Sequence, residues 1–283
     1  MLITTKEMLR DSREKHYAVP GFNCIADVMV RGILDRAEEC RSPVVLMLLA
    51  DEADEKAWWY FPSLVRGVAE RYSVPVAMHL DHATDPELIR RALDEGFTSV
   101  MFDGSSLPFA ENVEKTHRIV EMARPYGASV EAELGLVGGF DLGASAQVEN
   151  RLTEPDEVVR FVDETGVDLL AVSIGTAHGV YTQLPQLDIP RLVKLNAASQ
   201  VPLVLHGGSG TPEDQIRDAV RNGICKMNIY ADNRLAMWRA MERIVAETTR
   251  KDAIPQQYFS MLEKALGDAV EEKIHLLGSA NRC

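Results

Sequence analysis

The chain alternates between short apolar runs and longer amphipathic stretches. Eight runs rich in β-branched residues read as strands, over residues 17–22, 43–49, 74–80, 99–102, 129–134, 168–174, 202–205 and 225–229. They are apolar almost without interruption, as strands covered on both faces must be. Apolar residues recur at helical spacing over 27–39, 85–94, 109–123, 155–164, 212–222 and 232–247. Strand–helix alternation predicts a parallel sheet with helical crossovers. Eight such units in 283 residues predict an α/β fold, a (β/α)8 TIM barrel with extra terminal helices, residues 1–283 forming a single domain. A doubly wound open sheet is the rival. It would normally carry a glycine fingerprint after its first strand, and Pro20-Gly21-Phe22-Asn23-Cys24 has none. The glycine-rich stretch 135–150 reads as a mobile loop.

Composition narrows the function classes. Apolar residues make up 46% and charged residues 26%, as in ordinary soluble globular proteins. The net charge of −13 argues against nucleic acid or an anionic membrane as partner, since both need a basic footprint. No run of about 18 apolar residues predicts a membrane span, and the first 17 residues are charged throughout, unlike a secretory signal. Cys24, Cys40, Cys225 and Cys283 are widely spaced, which points to reduced thiols and a cytoplasmic protein.

In a barrel of this kind the chemistry sits at the C-terminal strand ends. Those ends carry Asn23, His79-Leu80-Asp81-His82, Asp103, Glu131 and Glu133, His178, His206 and Asn228. His82, His178 and His206 follow the third, sixth and seventh strands, and three converging imidazoles suit zinc with one open position. His79 alternates with Leu80 and is expected to point back into the barrel wall or its neighbours. His16, His117 and His275 are expected to be solvated. Asp81, beside a metal ligand, suits acid–base work on a bound substrate or the orientation of a histidine. In His206-Gly207-Gly208-Ser209-Gly210-Thr211-Pro212, Thr211 and Pro212 read as N-cap and first residue of a helix. The glycines before that terminus free backbone amides for an anion.

Together with VPGFN, HLDHA, MFDGSSLPFAENV, VEAELGLVGG, DLLAVSIGTAHGVY, PLVLHGGSGTPEDQIRDAVRNGICKMNI and EEKIHLLGSANR, these residues make the chain resemble the class II, metal-dependent ketose-bisphosphate aldolases, and within them the tagatose-bisphosphate branch. The resemblance implies zinc-dependent reversible cleavage of a ketose phosphate or bisphosphate to dihydroxyacetone phosphate and an aldehyde such as glyceraldehyde 3-phosphate. It implies a homodimer or homotetramer. His82, His178 and His206 match the zinc ligands, and Asp103 and Glu133 match acidic residues of a more buried metal position. Asp81 matches the residue that exchanges the C4 hydroxyl proton. Gly179, Gly207, Gly208 and Ser209 match the phosphate loop, where a monovalent cation can also sit. Asn23 and Asn228 match substrate-contacting asparagines.

Three positions depart from the family pattern. Leu49 stands where a phosphate-contacting serine is expected, and Ala231 where a threonine is expected. Losing two charge-assisted contacts would cost roughly 1.5–3 kcal/mol each. The donor half then carries either a phosphate held by glycine amides or a different substituent. In the loop, Asp141 stands nearest to the usual proton-exchanging glutamate, with Glu149 second. The acidic run 51–55 beside Leu49 is expected to be a solvated helix start. Two other classes compete: a metal-dependent hydrolase on the same barrel and a catalytically silent sugar-binding paralogue. A hydrolase has no use for Asn23, Asn228 and an amide cradle around a sugar, and the complete set of Asp81 and three histidines speaks against a silent paralogue.

Overall fold

The computed structural model of the chain describes residues 1–139, 150–179, 184–250 and 252–283, with His178 described by its backbone alone. Eight strands, β1 (Val19–Asn23), β2 (Val44–Leu49), β3 (Val76–Ala83), β4 (Ser99–Phe102), β5 (Ser129–Leu134), β6 (Leu169–Val172), β7 (Leu203–Leu205) and β8 (Ile224–Ile229), pair in parallel. They close into a barrel in sequence order, β8 joining β1 through Val19↔Lys226 and Gly21↔Asn228. The open-sheet rival is thereby excluded.

Helices α1 (Thr5–Met8), α2 (Asp27–Cys40), α3 (Ala57–Ala69), α4 (Pro86–Asp94), α5 (Phe109–Ala123), α6 (Pro155–Thr165), α7 (Ile189–Ala198), α8 (Glu213–Arg221), α9 (Ala231–Glu247) and α10 (Pro255–Leu276) accompany the strands. Local chemistry sets their ends. Asp85 accepts from the Glu87 amide ahead of Pro86 to start α4, and Gly166 at φ 73° closes α6. Helix α8 begins at Glu213, one residue later than expected. Thr211 therefore does not cap it, and its hydroxyl donates to the Gly207 carbonyl at 3.5 Å.

Outward strand residues such as Phe22, Leu46, Met78 and Phe102 pack against the helices in one large apolar layer. Inside the barrel, Val19, Val45, Met47, Ala77, Ala171 and Val204 form a smaller cluster with Met8 and Leu9 from the N-terminal segment. Leu169 and Cys225 join that cluster, and polar side chains share the lumen with it. His79, Glu131 and Lys226 are fully buried there. His79 shares the inner face of β3 with Ala77 and Asp81, so it lies in the lumen and meets the neighbouring strand β4 there, at Ser99, and not in the wall; Leu80 is the residue that faces the helices. At the N-terminal mouth, Thr5 of α1 hydrogen-bonds Ser99 at 2.8 Å and Ser129 at 2.6 Å, and Ser99 in turn meets His79 Nδ1 at 2.7 Å.

At the opposite mouth, Gly138–Gly139 pairs in parallel with Ala177–His178. This small ribbon ties the β5 and β6 loops together across a segment expected to be loop throughout. Among the described residues no helix is long and apolar enough to cross a membrane, and the four cysteines are free. His16, His117 and His275 are exposed, as expected.

Candidate active site

The site forms around a defect in β3. Its register against β4 shifts between Leu80 and Ala83, and His82 takes the left-handed conformation at φ 52°. A histidine in that region costs about 1–3 kcal/mol, a strain found mostly at functional sites. The defect breaks the in–out alternation, so the adjacent Asp81 and His82 both line the same cavity.

Asp81 is buried, with each oxygen held by an asparagine amide. Asn23 Nδ2 donates to Oδ2 at 2.8 Å, and Asn228 Nδ2 donates to Oδ1 at 2.9 Å. Burial pushes its carboxyl up, but the fields of His82, His206 and Lys226 outweigh burial and hold it below its ordinary value. It is therefore ionised at neutral pH and free of any need to share a proton.

His82 Nδ1 lies 2.8 Å from Asp103 Oδ2, and the Ser105 amide donates to the other Asp103 oxygen at 3.0 Å. Burial opposes the charged imidazole, but Asp81 and Asp103 raise it to about 10. His206 is fully enclosed between two carboxylates, Nε2 2.9 Å from Glu131 and Nδ1 3.1 Å from Glu133. Its burial and the neighbouring His82 act against protonation, yet the two glutamates still hold it above the usual histidine value. The His82 and His206 rings meet edge-on with centroids 4.6 Å apart.

One ligand atom from each of Asp81, His82 and His206 lies within 4.8 Å of the others, and the same holds for His82, Asp103 and Glu133. The donor set fits a divalent cation. Four carboxylates (Asp81, Asp103, Glu131, Glu133) surround Lys226 and the two imidazoles, and the imidazoles are drawn toward protonation by the same field that would bind a metal. His178 is placed by its backbone beside Ala177, whose carbonyl abuts Gly207, and Gly179 next to it lines the cavity. Gly207 has φ +64°, and a Cβ there would come 2.5 Å from the Ala177 oxygen, so only glycine lets these two loops touch. Asp141 and Glu149 lie outside the described residues.

The cavity, about 190 Å³, opens between these groups and Gly207 and Ser209 of the glycine-rich loop after β7. Ser209 Oγ accepts from the Tyr230 and Asp232 amides, both at 3.3 Å, which stitches the loop to the start of α9. Gly208 packs instead on Met227, where a Cβ would fall 2.6 Å from the sulfur. Leu49 and Ala231 share one wall with Asp51, Tyr230 and Arg234. Tyr230 donates its hydroxyl to Glu52, and the Arg234 guanidinium stacks 4.6 Å over the Tyr230 ring. The acidic run is thus only partly the solvated helix start expected. Asp54 does serve the α3 start, accepting from the Ala57 amide at 2.8 Å, but Asp51 lines the cavity and Glu52 anchors the hydroxyl of the cavity-lining Tyr230.

Sequence reasoning left Glu131 without a role and missed Lys226 altogether. Lys226 Nζ donates to Glu131 Oε2 at 2.9 Å and to Asn228 Oδ1 at 2.7 Å. The signal was a lysine two residues before Asn228 in an otherwise apolar strand, where a period of two puts both on one face.

The family model for class II fructose-bisphosphate aldolase matches residues 3–282. Among solved structures, the YdjI aldolase from Escherichia coli K12 is 34% identical at TM-score 0.89, with 100% of this chain and 99% of that chain covered. The fructose-bisphosphate aldolase Fba from Campylobacter jejuni, at 22% identity and TM-score 0.84 over 100% and 97% of the two chains, supports the barrel fold alone. The match over nearly the whole chain, on a barrel whose strand ends assemble this set of imidazoles and carboxylates, places the protein in the class II fructose-bisphosphate aldolase family, as a carbon–carbon lyase.

Proposed function

We propose that the chain, as one catalytic domain, carries out zinc-dependent reversible aldol cleavage of a ketose phosphate, with Asp81 as the proton-transfer group. The observation that carries this reading is the break in β3, which turns Asp81 and His82 onto one cavity with His206 beside them. His82, His178 and His206 would hold the zinc, which supplies Lewis-acid polarisation of the ketose carbonyl. Asp103 would orient His82 through Nδ1, and Asp103 and Glu133, which faces His206 Nδ1, would offer the more buried metal position.

Asp81 accepts the C4 hydroxyl proton as the C3–C4 bond breaks and returns it in condensation. Asn23 and Asn228 keep its two oxygens in place, and a ketose hydroxyl entering the cavity meets an anion that is already aligned. Gly179, Gly207, Gly208 and Ser209 form the loop that would receive a phosphate on backbone amides, with room for a monovalent cation. Asp141 is the loop residue proposed to exchange the C3 proton.

Fructose- or tagatose-bisphosphate, cleaved to dihydroxyacetone phosphate and glyceraldehyde 3-phosphate, is the reference substrate, and the tagatose branch is the family position we favour. The wall built from Leu49, Asp51, Ala231 and Tyr230 supports a second reading, in which the donor half is unphosphorylated or carries another substituent. A homodimer or homotetramer working in the cytoplasm completes the proposal.

The test is triose release from a panel of ketose bisphosphates, monophosphates and free ketoses, with and without a chelator. Cleavage that survives metal removal would overturn the zinc assignment. Efficient bisphosphate turnover would remove the second reading. Asp81→Ala should lose cleavage and keep its metal; metal loss in that variant would move Asp81 from proton transfer to ligand orientation.

A further inference from the structure

Beyond its field at Asp81, Lys226 has no place in the chemistry described so far, yet it sits at the junction of the two halves of the site. It comes from β8, is fully buried, and donates both to Glu131 of β5 and to Asn228 of its own strand. Each of those residues has its other polar end on a working group. Glu131 uses its second oxygen on His206 Nε2 at 2.9 Å. Asn228 uses its amide nitrogen on Asp81 at 2.9 Å.

An asparagine can present either its oxygen or its nitrogen to a neighbour. An ammonium can only donate, so Lys226 commits Asn228 Oδ1 to itself and leaves Nδ2 for Asp81. A buried carboxylate can likewise turn or protonate unless a charge fixes it. Lys226 Nζ holds Glu131 Oε2 at 2.9 Å, which leaves Oε1 turned to His206. Glu131 is thus fixed as an acceptor facing Nε2, and the imidazole plane of His206 is set from behind.

We propose that Lys226 is a positioning residue that aligns Asp81 through Asn228 and His206 through Glu131, coupling the proton-transfer carboxylate to the metal-binding imidazole. This rests on the roles assigned to Asp81 and His206 in the proposed function. A lysine present only to neutralise Glu131 would be dispensable once Glu131 lost its charge, and that distinction defines the test.

Two variants are made, Lys226→Met and Lys226→Met/Glu131→Gln, and read for urea midpoint, zinc affinity by chelator competition, kcat and KM. The single variant strands the Glu131 charge and should be clearly less stable. The double variant should regain stability, because both charges are gone, yet show kcat about 30–100-fold lower with KM within threefold, and zinc binding about 10-fold weaker. A stable double variant with wild-type kcat and zinc affinity overturns the proposal. So does a double variant less stable than the single, because the pairing of the two charges is part of it. If the wild-type protein cleaves no ketose, the proposed function fails by itself. The inference is then judged on zinc affinity, and unchanged affinity in the folded double variant overturns it.

Discussion

His79 gives the fold a specific acid sensitivity. Burial, reinforced by the Lys226 charge, pushes its imidazole down to about 3 from an ordinary 6.5. The unfolded chain takes up this proton near pH 6.5, and the folded chain not until about pH 3. Between those values the unfolded state binds more protons, so stability falls as the pH falls. Going from pH 7 to pH 5, the unfolded histidine goes from mostly neutral to mostly charged. At about 1.4 kcal/mol per pH unit below 6.5, the loss is about 2 kcal/mol. The comparison is His79→Asn, whose amide can still meet the Ser99 hydroxyl now 2.7 Å from Nδ1. Urea unfolding of both proteins in chelator, at pH 7 and pH 5, gives the two pH-dependent losses. The wild type should lose about 2 kcal/mol more than the variant. Equal losses would falsify the assignment of a neutral, uncompensated imidazole in the lumen.

Other consequences can be measured on the same protein. Zinc binding at pH 7 should release at least one proton, because Asp81 and Asp103 hold His82 near 10 against its burial; affinity should climb as the pH rises toward that value, and calorimetry in buffers of different ionisation enthalpy should register the release. No proton release would refute it. Asp103→Asn removes the carboxylate 2.8 Å from His82 Nδ1 and should weaken zinc about 10–100-fold while the urea midpoint moves little. Gly207→Ala should lose at least about 1–2 kcal/mol from the left-handed backbone alone, and its Cβ would also push Ala177, next to His178, out of place. An unchanged urea midpoint and zinc affinity would show that the two loops do not need their close approach.

The barrel was legible because both of its periods are written in the chain. Apolar strands at β4 and β5 and the α5 helix match their expected bounds, since nothing in those segments competes with the pattern. Helix α3 was not read, because Pro62 and a cluster of aromatics obscure its periodicity, although the proline sits only one turn and a half into the helix. Helix α7, opening on Ile189-Pro190, gave a similarly weak signal. Strand-end histidines identified the site's location, but not its wiring. That His79 lies in the lumen, that His82 turns left-handed and that Lys226 joins two strands all depend on register between β3, β5 and β8, which a single chain does not encode locally. Glu52 was misread for the same reason. Its partner, Tyr230, is distant in sequence.

The short helix α1 closes the mouth of the barrel farthest from the cavity. Its Thr4–Glu7 capping box holds four residues helical where so short a segment would otherwise fray, and this presents the Thr5 hydroxyl to Ser99 and Ser129. Behind that lid, His79, Lys226 and Glu131 are screened from bulk water on the side away from the cavity. Ion pairs in such an environment act over a low effective dielectric, and each field in the site is felt more strongly for it. The distant lid therefore sets the electrical insulation of the catalytic end. A polar substitution at Thr5 that admitted water would weaken the coupling among Lys226, Glu131 and His206 without touching any of them.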